Sequence, residues 1–220
     1  INENCLTDEG LDNVSLTLTT RTANSEGRNE EKLSALESAE EQFVATSTGE
    51  YFENKSDKQL PAPRLLKLKI GARVLFTKNN HPEWINGTLG TIENILDDFI
   101  RVRLDSGSEV VVGREVWQHY KHTLNEETGK IERTPIASYE QFPLRLGWAV
   151  TIHKSQGLTL DSCTVDVGED GAFTHGQVYV ALSRCRDISS LKLRTALRPE
   201  DIVLHQSVLR FYMEFLPDAL

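Results

Sequence analysis

Long apolar runs are missing from this chain: nothing approaches the roughly 20 consecutive apolar residues that a membrane helix needs. No charged-then-apolar leader opens it either, so neither a membrane span nor secretion is expected. Phosphate loops of the GxxxxGK[ST] kind are absent too. Gly129-Lys130 has no glycine five residues earlier and carries Ile131 where Ser or Thr is required. HExxH, Gly-x-Ser-x-Gly and Cys/His metal spacings do not occur, and the six histidines are scattered, so no metal site is expected. Cysteine is scarce, with three residues, Cys5, Cys163 and Cys185. An odd count without CxxC argues against a disulfide framework and for a reducing compartment such as cytoplasm. Cys163 and Cys185 sit in apolar patterns that suit small buried hydrophobes. Met213 is the one methionine and the chain starts at Ile1, which suggests a piece of a longer protein.

What is present suffices for a folded protein: 220 residues, 39% of them hydrophobic, make an ordinary core for one large or two small domains. The net charge of −9 is unevenly spread. Residues 1–60 hold 13 Asp/Glu against 5 Lys/Arg, a balance of −8, whereas residues 61–220 hold 20 against 19, a balance of −1. The acidity thus belongs to the N-terminal segment and leaves room for a local basic track beyond it.

Along the chain, Leu11, Val14, Leu16 and Leu18 alternate as a strand. From Asn24 or Ser25 the spacing of Leu33, Leu36, Ala39 and Phe43 predicts a helix, and residues 49–59 read as loop. After Pro61 and Pro63 the style changes. Residues 65–70, 72–78, 88–95 and the hairpin 100–112, with its turn at 105–108, are short strands whose spacing suggests a small barrel of SH3 or OB type. Residues 116–142 read as a second hairpin turning at 125–130. Leu146, Ala149, Val150 and His153 fit a helical face that Gly157 would end. Cys163, Val165 and Val167 mark a buried strand. Thr174 with Gln177 matches a capping box, and Val178, Ala181, Leu182 and Cys185 form the apolar stripe of the helix behind it. Pro199 opens a last helix carrying Val203, Val208, Leu209 and Tyr212. The layout is an α/β domain from residues 1–60 and 143–220, interrupted by a β insert at 61–142.

Chemistry concentrates in residues 148–186. His153, Lys154, Ser155, Gln156 and Gly157 make a polar turn suited to phosphate, and Arg184 projects at the far end of a short βα unit. An arginine ending a helix commonly just complements the helix dipole. The wording TIHKSQGLTLD followed by GQVYVALSRCR resembles motifs V and VI of superfamily 1 helicases, of the Pif and RecD type that moves 5′ to 3′ on single-stranded DNA. LTLTTRTANSEGRNEEKL is similar to their motif IV region, more loosely, and LKLKIGARVLFTKNN with INGTLGTI to the start of their SH3-like insert.

The resemblance implies a RecA-like parallel-sheet domain of P-loop NTPase type, the second motor domain, carrying an SH3-like β-barrel insert. It implies ATP with Mg²⁺ as cofactor, the metal being held mainly by a first RecA-like domain that this chain lacks. Arg184 would be the arginine finger, the always-charged guanidinium that stabilises phosphoryl transfer, with Gly157, Gln177 and Arg21 lining the same nucleotide site. Thr151, His153, Lys154 and Ser155 would meet the backbone of single-stranded DNA. On the insert, Lys67, Lys69, Arg101 and Arg103 either track phosphate or are solvated strand faces. The partners implied are single-stranded DNA and the protein's own N-terminal RecA-like domain, in a monomer located in the cytoplasm or at the nucleoid, with DNA repair or recombination as its setting. Without a phosphate loop the chain alone is expected not to hydrolyse ATP. A competing reading is a non-catalytic module of a larger ATPase that binds nucleic acid or protein.

Overall fold

Leu16, Thr17, Leu18 and Thr19 are all buried, the pattern of a strand with neighbours on both sides and layers on both faces. In the computed structural model, which describes residues 1–5, 15–126 and 129–215, strand Leu16–Thr19 pairs in parallel with Ala149–Thr151 on one side and Cys163–Asp166 on the other. Leu191–Leu193 adds in parallel beyond Cys163–Asp166. The spatial order is therefore 149–151, 16–19, 163–166, 191–193. From Leu16–Thr19 the chain first goes to one side of the sheet and then continues on the other. That reversal opens a crevice at the C-terminal ends of Leu16–Thr19 and Cys163–Asp166, where ligands of open parallel sheets bind.

This sheet belongs to a unit formed by Ile1–Lys32 and Trp148–Leu220, while Leu33–Gly147 forms a second unit. Residues 33–60 and 143–147 thus go with the inserted unit, and strand pairing is the cause. Glu41–Val44 pairs with Leu65–Leu68, Thr46–Thr48 with Lys130–Gln141, and Leu144–Leu146 with Arg73–Phe76.

Several local expectations are corrected. The first long helix is Thr22–Ser34, so Phe43 lies on a strand and packs edge-on against Phe142, with ring centroids 4.9 Å apart. Residues 144–157 are not helical: strand Ala149–Thr151, buried throughout, passes into a 3-10 turn at Ile152–Ser155. Its apolar residues served equally well for a helix, and the ladder offered by Leu16–Thr19 decides for strand. Within 49–59 the chain forms helix Glu50–Glu53 and a 3-10 turn, Asp57–Gln59. At the other end Pro199 opens only a 3-10 turn, Pro199–Asp201, and the helix is Gln206–Phe215. Leu11 and Val14, like Glu127 and Thr128 of the expected hairpin turn, lie outside the described residues.

The second unit is antiparallel. Its five-stranded sheet runs Leu144–Leu146, Arg73–Phe76, Leu89–Ile95, Ile100–Leu104, Glu109–Val112. Ile100–Leu104 alternates buried and exposed residues, as one solvated face requires. A long hairpin, Glu115–Asn125 with Lys130–Gln141, packs its base on Phe52, Leu60 and Ala62 through Ala137 and Tyr139. The Tyr139 hydroxyl donates to the Ala62 carbonyl at 3.0 Å, and burial pushes its pKa up to about 12. Among the described residues no helix is long and apolar enough to cross a membrane.

Candidate nucleotide and nucleic-acid site

The turn that follows Ala149–Thr151 is built by its own hydroxyls. Thr151 Oγ1 accepts from the Lys154 amide at 3.4 Å, and Ser155 Oγ donates to the Ile152 carbonyl at 2.8 Å. Both side chains are buried. His153 and Lys154 stay exposed. Of the four residues expected to meet DNA, two therefore present side chains outward and two hold the turn that carries them. Gly157 follows with φ 84°. A Cβ there would meet open space, so the left-handed backbone, not crowding, is what calls for glycine.

Helix Gln177–Leu182 begins differently from the expected capping box. Gly176, at φ 69°, is its N-cap, without a side-chain cap bond. Thr174 offers its carbonyl to the Gln177 amide at 3.1 Å, and the Gln177 side chain faces inward. Gln177 is buried, donating through Nε2 to the Thr20 carbonyl at 3.1 Å and accepting from the Phe173 amide at 3.2 Å. It thus positions the C-terminal end of strand Leu16–Thr19 and is not itself open to a ligand.

Arg184 stands just beyond the helix, half-buried. Its Nε donates to the Val180 carbonyl at 2.8 Å, and Nη1 to the carbonyls of Leu158 at 3.1 Å and Ser155 at 3.4 Å. Nη2 lies 2.9 Å from Ser183 Oγ. These partners are all neutral, and they tie the helix end to the 155–158 turn. Gly157 and Arg184 come together through that tie.

Arg21 joins the switch-point crevice. Its Nε is 3.2 Å from Asp170 Oδ2, and the guanidinium lies 5.0 Å from the Phe173 ring centroid. Thr20 Oγ1 donates to the Val167 carbonyl at 3.2 Å, locking the two strand ends. The loop that carries Asp170 and Phe173 is pinned by Asp201, 1% exposed, which accepts from the amides of Ala172 at 3.2 Å and Arg198 at 2.8 Å. Burial alone would raise the Asp201 pKa, but bonds from the Arg198 amide and guanidinium and the Ala172 amide outweigh it and hold the carboxyl below its usual range.

The basic residues of the second unit are largely engaged within it. Lys69 Nζ donates to the Leu36 carbonyl at 2.7 Å, and Lys67 Nζ is 3.9 Å from Glu40. Arg103 pairs with Glu93 and, at 3.3 Å, with Glu109, whereas Arg101 is exposed. Sequence reasoning missed Asp201 and Asn29, and it took Asp170 for a solvated charge near a strand end; its side chain is largely exposed but pairs with Arg21. The Asn29 amide bonds both the N–H and the C=O of Ala149, at 2.9 and 2.8 Å, covering part of the free edge of the parallel sheet. Asn29 acts across 120 positions of chain, and although Asp201 caps its own turn through the Arg198 amide, its hold on Ala172 spans 29, so no local spacing announces either contact.

No protein-family model matches the chain. It is 37% identical over 210 residues to an ATP-dependent DNA helicase Pif1 of Bdellovibrio bacteriovorus, an alignment covering 94% of this chain and 45% of that protein. With ATP-dependent DNA helicase PIF1 of Danio rerio it shares 32% over 221 residues, covering 98% of this chain and 32% of the relative. Among solved structures, Bacteroides sp Pif1 in complex with ADP-AlF4 superposes with a TM-score of 0.81 at 31% identity, covering 96% of this chain and 47% of that one. A Bacteroides Pif1 bound to ssDNA gives 0.69 at 30% identity, covering 96% and 48%. The chain spans less than half the length of these relatives.

Proposed function

The chain belongs to the Pif1-type helicases, as a C-terminal part, and from that premise we propose that it is the second motor domain of an ATP-dependent 5′-to-3′ DNA helicase. Its parallel sheet fits a RecA-like fold. We read the five-stranded antiparallel unit as an SH3-like insert, a reading supported by its meander of short strands.

The observation that carries the proposal is the grip of Arg184 on the 155–158 turn. One side chain then belongs both to the proposed ATP site, as arginine finger, and to the turn that presents His153 and Lys154 to single-stranded DNA. The residues fit a polyphosphate in part. Arg184 and Arg21 are cations with accessible surface at the sheet's edge, while Gln177, being buried, supports the site from behind. Gly157 shapes the turn without contributing a side chain. ATP with Mg²⁺ supplies the free energy of phosphoryl transfer, and the metal is assigned to a first RecA-like domain outside this chain. What the chain's own residues do is narrower. Arg184 offers charge-assisted donors to phosphate oxygens, and His153 and Lys154 offer contacts to the DNA backbone that read no sequence. Because Arg184 is held by neutral carbonyls, an anion competes for its donors on favourable terms, and taking them loosens the turn.

In the full-length enzyme Arg184→Ala is expected to lower kcat by about 10³-fold or more, a far larger effect than the loss of single-strand binding that a loosened 155–158 turn brings in a filter or anisotropy assay. Turnover within about tenfold of the parent would remove Arg184 from the ATP site.

A further inference from the structure

Outside the proposed site, one pair of nucleophilic side chains stands in contact. Cys163 Sγ and Cys185 Sγ are 3.2 Å apart across 22 residues of sequence. Cys163 is fully buried on the central strand Cys163–Asp166. Cys185 is half-buried, and its Sγ also lies 3.7 Å from the Ser190 carbonyl. Both backbones are fixed by the fold, Cys163 within the parallel ladder and Cys185 through its bridge to Leu160 and the 3.0 Å bond from the Leu160 amide to the Arg184 carbonyl. Packing as small hydrophobes requires burial but does not by itself require the two sulfurs to meet.

We propose that Cys163 and Cys185 are an oxidisable pair that closes to an intramolecular disulfide when a hydroperoxide reaches Cys185. The Cys185 thiolate attacks one peroxide oxygen, the O–O bond breaks, and the departing hydroxide takes up the thiol's proton, leaving Cys185 as a sulfenic acid and releasing water. The Cys163 sulfur then attacks Cys185 sulfur; the S–O bond breaks, the Cys163 proton leaves with the oxygen as a second water, and the S–S bond forms. Two thiols are oxidised and one hydrogen peroxide is reduced to two waters. The sulfurs approach from 3.2 Å to about 2.05 Å, a shift within reach of side-chain rotation and a small backbone adjustment. The order of events follows from access, since Cys185 alone has exposed surface. It also follows from acidity: the hydrogen bond from Cys163 lowers the Cys185 pKa against the opposing effects of burial and Asp161. The bond to Cys185 and burial keep Cys163 protonated.

Cys185 directly follows Arg184. On the reading of Arg184 as the finger, the new S–S bond clamps the neighbouring backbone to the central strand and restricts the movement by which the guanidinium would reach phosphate, so oxidation switches the motor off.

Two measurements test this. The 220-residue chain is treated with hydrogen peroxide, alkylated under denaturing conditions and mapped by mass spectrometry. The expected product is a Cys163–Cys185 cross-linked peptide about 2 Da lighter than the sum of its two thiol peptides, reversed by dithiothreitol. It should be unchanged in Cys5→Ser and absent in Cys185→Ser. Recovery of both thiols in alkylated form, over-oxidised Cys185 without a cross-link, or linkage through Cys5 overturns the proposal. In the full-length enzyme, peroxide should abolish most DNA-stimulated turnover, reversibly, and spare Cys185→Ser. A cross-link formed with turnover intact overturns the switch while the pair itself stands, and no cross-link with an active, Arg184-dependent enzyme overturns the pair while the motor assignment stands.

Discussion

Gln177 shows what a single residue does at this site. Its amide pairs with two backbone groups, the buried Thr20 carbonyl and the part-buried Phe173 amide. Gln177→Ala leaves both unpaired and opens a cavity, so a loss of about 2–4 kcal/mol is expected in urea unfolding. Gln177→Leu restores volume without donors and should recover less than half of that loss. Recovery to the wild-type midpoint would mean that the amide contributes only packing. The side chain was legible as a polar residue on a helix close to Arg184, and the resemblance placed it in the lining of the nucleotide site. It faces inward to bond the Thr20 carbonyl and the Phe173 amide, partners that the helix's own spacing does not reveal.

At the scale of elements, the loop between Cys163–Asp166 and helix Gln177–Leu182 has little regular structure of its own and depends on the Pro199–Asp201 turn. Asp201 anchors it by accepting from Ala172 and Arg198, and through it fixes the surroundings of Arg21. Because its folded pKa lies below the ordinary value of 3.8, Asp201 adds stability that is fully present above that value and is lost as the pH falls through the lowered folded pKa. Asp201→Asn should therefore cost about 2 kcal/mol at neutral pH, with the gap between variant and parent closing below about pH 4. Urea midpoints measured from pH 7 down to pH 3 check this, and a gap that stays constant through the range would sink the charge argument. Strands were the most legible elements. Ile100–Leu104 alternates apolar and polar residues and is joined to the valine-rich Glu109–Val112 by a turn of small polar residues, a local signal with a local cause. Ala149–Thr151 was illegible as a strand because a short apolar run suits either period, and its partner is Leu16–Thr19, some 130 residues away.

At the scale of the molecule, the interruption of a parallel sheet by an antiparallel unit was readable from the change of style after Pro61, though the seams fall at residues 32/33 and 147/148. Edge strands such as Glu41–Val44 and Leu144–Leu146 are too short to declare which sheet they will join. The sequence contains no phosphate loop, and on the proposed reading Arg184 acts on phosphates bound by another domain. The 220-residue chain is accordingly expected to show no ATPase above background with or without single-stranded DNA, measured by phosphate release. Robust DNA-stimulated turnover by this chain would overturn the assignment of the missing chemistry to another domain.

By itself the sequence determined the class of fold, the two styles of architecture and the family, since TIHKSQGLTLD and GQVYVALSRCR are contiguous strings whose meaning does not depend on distant partners. Tertiary structure alone decided what each polar residue in them does. Thr151 and Ser155 turn inward to build their turn, His153 and Lys154 face out, Gln177 stitches the sheet to its helix, and Cys163 meets Cys185. Those outcomes depend on burial and on which backbone groups a fold leaves unpaired, and both are settled only when strands far apart in sequence have come together.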